Sequence, residues 1–198
     1  CFSFAIHQYY GYLGPIMRIL FLSYRLAHAG AISGQRIVYR RMKHLVERGH
    51  DVGLASVVNP NDEPHEDALR EMLFELETVR IEKRPLLAPR WDRHLGLIPP
   101  PYSAQFSPQL RQVAGAMVER SRYEAVVAEF SSMGQHIVRN PYMPAVRKII
   151  SCHQCATVGS RNLLDEQNYW SLKSWPARLW FHRLKHYEFK LYQNVDRV

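Results

Sequence analysis

Four groups of residues in this 198-residue chain are of types and at spacings that can do chemistry. The first is the run Gly30-Ala31-Ile32-Ser33-Gly34, with Arg36 just beyond it. Glycine lets a backbone approach a ligand closely, and amides at a helix start, helped by an Arg, favour an anion. The run has neither the G-x-G-x-x-G pattern nor the Lys-Ser/Thr of a phosphate loop, so it implies no NAD or ATP site. A tight turn explains it equally well. The second group is Cys152-His153-Gln154-Cys155. Two Cys at this spacing suit a zinc ligand pair or a redox dithiol. Structural zinc needs four ligands and there is no second Cys pair, so two thiols packed beside a turn is the stronger reading. His153 stands apart, because an imidazole can take a proton from a hydroxyl or hydrogen-bond to it. The third is Glu129, followed by Phe130 and Ser131. Its carboxylate can bind a sugar hydroxyl or cap the helix that follows. The fourth is the C-terminal run, where Ala177, Trp180, Phe181, Leu184 and Leu191 form an apolar stripe at helical spacing. Glu188 lies on that stripe and needs a partner there. Arg178, Arg183, Lys185 and Lys190 fall on the other face. Basic residues beside Trp and Tyr suit a membrane interface or a single-stranded nucleic acid. A docking helix with a solvated cationic face is the plainer reading, and no RNA-binding signature is present.

These residues are carried by strands that alternate with helices. Residues 18–24 are a short apolar run of the kind that is buried on both faces of a parallel sheet. A helix over 35–48 follows, with Ile37, Val38, Met42, Leu45 and Val46 as its apolar stripe and Gly49 as its C-terminal cap. Further strands are expected at 51–58, 78–82, 125–130 and 148–153. Helices are expected at 65–76, from Ser107-Pro108 onward, at 131–138 with a Ser cap, and at 174–194. The Pro-rich stretch 85–108 reads as a long loop. The pattern is α/β: a Rossmann-like parallel sheet flanked by helices. Ligands of such sheets bind at the carboxyl ends of the strands. Those ends are 27–34, 59–63, 129–134 and 152–161, and Arg161 in the last of them is a substrate-binding candidate.

Composition narrows the class. Hydrophobic residues make up 46% and charged residues 22%, which supports a buried core rather than disorder. No apolar run reaches the roughly 18–20 residues of a membrane span. The net charge of +8 favours an anionic partner, such as phosphate or an acidic membrane surface. Three Cys are too few for a secreted disulfide framework and point to a reducing cytoplasm, with peripheral contact at the inner membrane face left open. Residues 1–16 contain no Lys or Arg and are expected to be an arm or upstream sequence, with the domain running over 17–198.

The order of motifs resembles the N-terminal domain of GT-B-fold glycosyltransferases of the family-4 type. MRILFLSYRL is similar to their first strand. LVERGHDVGLAS holds their Gly-His-acid-Val tetrad, here Gly49-His50-Asp51-Val52. AVVAEFSSMGQHI resembles the strand and short helix that face the acceptor, and RKIISCHQCATVGSRN their fifth strand ending in His. RLWFHRLKHYEFKLYQNVDRV resembles their long helix with a Tyr-Glu pair. Two positions depart from the pattern: Ser33 precedes Gly34 where many members have adjacent glycines, and Gln154 follows His153 where many have an acid. The resemblance implies a two-domain enzyme whose second domain lies outside this chain. It implies a nucleotide-diphosphate sugar as donor, a sugar, lipid-linked or other hydroxyl as acceptor, a retaining course, no metal cofactor and no nucleic-acid partner. Gly30, Ser33 and Gly34 then approach the donor phosphates, His153 lines the acceptor side, and Glu188 is structural. The isolated chain is expected to be inactive.

Overall fold

In the central strand, side chains alternate between two apolar environments. Leu20 and Leu22 of β1 (Arg18–Ser23) enter one buried cluster and Phe21 the other. Each face must therefore be covered, and the helices do this. The computed structural model describes residues 15–80, 98–153, 155–165 and 175–198. Its sheet contains β1, β2 (Asp51–Val58), β3 (Glu75–Arg80), β4 (Ala125–Glu129) and β5 (Arg147–Ser151). All pairings are parallel and the strand order is β3-β2-β1-β4-β5. This is the α/β Rossmann-like sheet expected from the sequence.

One face packs under α1 (Ser33–Glu47) and α2 (Glu66–Met72) through Val38, Met42 and Leu69. The other packs under α4 (Pro108–Ser121), whose Leu110, Ala114 and Met117 are fully buried, and under Leu184 and Leu191 of the last helix. Between β3 and α4 lies a helical turn, α3 (Pro100–Ser103). After β4 come a 3-10 turn (Ser131–Met133) and α5 (Gly134–Ile137). After β5 come α6 (Ala156–Asp165) and α7 (Trp175–Tyr192). Beyond α7, Arg197 bridges in parallel to Ile149 of β5.

Several boundaries differ from the sequence expectation, each for a physical reason. The third strand begins at Glu75, not 78, so Leu76 is a sheet residue paired with Leu54 rather than the last residue of the helix expected over 65–76. α1 begins two residues early at Ser33, and Ile37 is 51% exposed instead of belonging to the buried stripe. Ser107 caps α4 as expected, accepting from Leu110 N. Ser131 does not cap its turn; its hydroxyl bonds with Cys152 Sγ and Tyr192 OH instead. Helix α6 was not expected at all. Residues 1–14, 81–97 and Gln154 lie outside the described residues, and with them most of the Pro-rich stretch and the N-terminal arm.

Candidate functional site

From β1 the strand order runs outward in both directions, to β2 and β3 on one side and to β4 and β5 on the other. The chains leaving β1 and β4 therefore diverge at their carboxyl ends and leave a crevice between them. A cavity of about 520 Å³ occupies that place, within the size range of small-molecule sites. Tyr24 and Arg25 border it after β1, Phe130, Ser131 and Ser132 after β4, and Ala156, Gly159 and Ser160 on α6.

Phe130 is the pivot of this region. Its backbone sits at φ 72°, ψ 146°, a region that side chains other than glycine seldom occupy. Its amide donates to Ser151 O on β5, which holds the twist in place. The ring forms part of the cleft wall, packs 4.6 Å from the His153 ring, and fills the space above Gly34. A Cβ at Gly34 would lie 2.4 Å from the Phe130 ring. Gly34→Ala thus sets a helix-propensity gain of about 1 kcal/mol against an overpacking cost of about 1–3 kcal/mol. Overpacking is expected to win, giving a net loss of stability in urea denaturation. The loss should vanish in a Phe130→Ala background, where the ring is gone.

Behind Phe130 lies a charge cluster. Glu129, at the end of β4, is fully buried, and its two oxygens are taken by two partners. Arg41 Nη1 on α1 donates to Oε1 at 2.6 Å, and His153 Nε2 stands 2.6 Å from Oε2. Arg41 also donates to Ser151 Oγ at 2.7 Å, and that hydroxyl lies 3.3 Å from His153 Nε2. With Nε2–H given to the carboxylate, Nδ1 is the ring's remaining acceptor. Glu129 therefore neither caps the following turn nor faces the cleft. It orients His153 and anchors Arg41, a residue that no motif or spacing singles out.

Glu188 organises the far wall. This fully buried carboxylate accepts from Tyr102 OH at 2.7 Å, Ala156 N and Thr157 N at 2.9 Å each, Cys155 Sγ at 3.1 Å, and Thr157 Oγ1. It thus caps the N-terminus of α6 from α7. Burial raises its pKa, but hydrogen bonds from Thr157, Cys155 and Tyr102 outweigh burial and hold it at about 2. The Cys155 thiol is pushed up by burial and by the same carboxylate, which disfavours the thiolate that redox chemistry needs. Cys152 faces Ser131 and Tyr192 instead, and both thiols are free. These partners leave the dithiol reading without support.

The other candidates are spread along the rim. Ser33 (φ 54°) and Arg36 are exposed at the start of α1, next to Gln35 on the cleft wall. Among the described residues no side chain caps that helix start, and its first turn holds no acid. Gly30 lies further toward β2, against His28. There the His28 ring stacks 3.7 Å from His65, and burial followed by His65 pushes its pKa down. Arg161 is exposed on α6, one residue past Ser160 of the cleft. The structure therefore gathers Gly34, Glu129 and His153 around Phe130, places Ser33, Arg36 and Arg161 at the margin, and leaves Gly30 on the neighbouring loop.

No protein-family model and no curated protein sequence matches the chain. Solved structures do. The chain superposes on a sucrose-phosphate synthase from Thermosynechococcus elongatus with a TM-score of 0.54 at 15% identity, covering 91% of this chain and 41% of the synthase. This is a glycosyltransferase-like fold. The chain thus spans less than half of the synthase's length. Weaker likenesses are to UGT73P12 of Glycyrrhiza uralensis (TM-score 0.39, 13% identity, 76% of this chain and 31% of that one) and to TcCGT1 (0.40, 14%, 77% and 32%). Within the glycosyltransferase-like fold, the cleft between β1 and β4 is the place where the sheet presents its loops.

Proposed function

We propose that the chain is the acceptor-side half of a glycosyltransferase of the family-4 type. It moves a sugar from a nucleotide-diphosphate sugar to an acceptor hydroxyl, and part of the donor site comes from a domain outside this sequence. The observation that carries the reading is the cleft at the switch point, with an oriented imidazole behind its Phe130 wall. His153, held through Nε2 by Glu129, offers Nδ1 to the acceptor hydroxyl. The start of α1, free of acid and uncapped by any side chain among the described residues, joins with Arg36 and with Arg25 of the cleft to favour the donor's phosphates.

The test is to incubate the complete gene product with UDP-, GDP- and ADP-linked sugars and to follow nucleoside diphosphate release. Release with at least one donor is expected, accelerated by an acceptor alcohol, and the anomeric configuration of the product reads whether the course is retaining. The 198-residue chain alone should release little or none. Turnover by that chain alone would refute the half-enzyme reading. Absence of release from the complete product, together with calorimetric binding of a nucleotide-sugar, would favour a free-standing binding module.

A further inference from the structure

Helix α7 turns its one acid inward. Glu188 is fully buried, and its oxygens are occupied by Tyr102, Cys155, Ala156 and Thr157. Every other ionisable side chain of the helix, Tyr apart, is a Lys, Arg or His. The outer surface consequently carries one sign of charge. Along it runs an exposed stripe at spacings of four, three, four and three residues: Trp175, Leu179, His182, His186 and Phe189. Trp175, Leu179 and Phe189 are 62%, 50% and 48% exposed, too much apolar surface on one helix face to be incidental. Lys185 and Lys190 flank the stripe, and Lys185 Nζ sits 6.0 Å over the Phe189 ring.

Next to the stripe, between α7 and the end of α5, is a groove of about 710 Å³. Ile98, Val138 and Leu191 supply its apolar lining, and Arg111 and Arg139 face Arg183 and Lys190 across it. The Nε of Arg111 is buried there, with no hydrogen-bond partner among the described residues. Among the described residues no acid lines the groove.

We infer that this face of α7 docks on an acidic phospholipid bilayer. The exposed ring and aliphatic groups enter the headgroup boundary, and the cations meet lipid phosphates. Charge complementarity selects the partner: an all-cationic rim around apolar groups matches an anionic amphiphilic surface. A neutral membrane has no net charge to attract the cations, and a nucleic acid leaves the aliphatic part of the stripe without a place. The groove shares no lining residue with the β1–β4 cleft, and the proposal does not depend on the reaction proposed there. Its failure and the failure of that reading are therefore read by separate assays.

The test is sedimentation of the full chain with vesicles of phosphatidylcholine alone, or containing about 30% phosphatidylglycerol, a surface whose attraction falls off within a Debye length. Binding to the acidic vesicles only, weakened by salt, is expected. Lys185→Gln with Lys190→Gln should weaken partitioning about 25-fold, at about five-fold per cation. Leu179→Ser with Phe189→Ser should weaken it while leaving the salt dependence in place. Because these side chains are exposed, the variants should keep the circular dichroism spectrum and melting temperature of the parent. Equal binding to both vesicle types, no binding to either, binding unchanged in the variants, or binding of a single-stranded oligonucleotide in place of vesicles overturns the proposal.

Discussion

Glu188→Ala is expected to lower folding stability by about 3 kcal/mol or more, the largest effect of any single change considered. Four donors besides the Cys155 thiol converge on this carboxylate: the Tyr102 hydroxyl, two α6 amides and the Thr157 hydroxyl. Removing the acceptor strands them in a dry interior, at about 1–3 kcal/mol for each that finds no water. Glu188→Gln keeps an acceptor oxygen but turns an amide toward donors, so an intermediate loss is expected. Urea denaturation measures both. The same residue sets an acid limit. Its pKa is about 2 in the folded chain, below its ordinary 4.5, so it binds its proton more weakly when folded. Its contribution is therefore complete above about pH 4.5 and is lost as pH falls toward 2. At about 1.4 kcal/mol per pH unit it amounts to roughly 3 kcal/mol. The parent should lose stability over that window more steeply than Glu188→Gln. Parallel acid titrations of the two would contradict this assignment.

The second large effect concerns turnover. If His153 serves the acceptor hydroxyl, His153→Ala in the complete gene product should lower kcat by roughly 10²- to 10⁴-fold, the usual weight of a general base. Glu129→Gln tests a different link. Glu129 touches no cleft space and acts through the imidazole as a positioning residue, so its loss should reduce kcat while KM for the donor stays near that of the parent. A merely structural Glu129 would instead show a falling melting temperature with kcat per folded molecule unchanged. Arg41→Lys provides an internal control. Both Arg41 bonds leave one nitrogen, Nη1, so a Lys Nζ can keep the charge and donate to Glu129 and Ser151 alike, on a shorter side chain. A smaller loss than for Glu129→Gln is expected. Steady-state kinetics on the three variants distinguishes these outcomes.

How much was legible in the sequence depends on whether the deciding forces were local. The strands were readable because burial on both faces demands unbroken apolar runs, as in β1 and β4. Helix α4 was readable because Ser107 and Pro108 mark its start within three residues of each other and of Leu110. Helix α6 was not, because its cap is supplied by Glu188, more than thirty positions later in the chain. Its own sequence, ATVGSRNLLD, includes a glycine and several weak helix formers. At the site, Glu129 and His153 were identified from their places at strand ends, but not their bond to each other. Arg41 could not be chosen among the basic residues of α1, since what distinguishes it is a reach across 88 positions to Glu129. The strained backbone of Phe130 had no signal either: a turn of that kind ordinarily announces itself with glycine.

The strand order also dictates a sequence of assembly. β1, β2 and β3 with α1 and α2 lie within the first 80 residues, so three of the five strands can pair through comparatively short connections. The seam between β1 and β4 joins Ile19 to Ala125 and must wait for a loop of about a hundred residues to close. The cleft opens on that seam. On a chain emerging from the ribosome, it is therefore among the last parts of the sheet to exist. Until β4 arrives, one edge of β1 is a bare row of backbone donors and acceptors, open to the wrong strand.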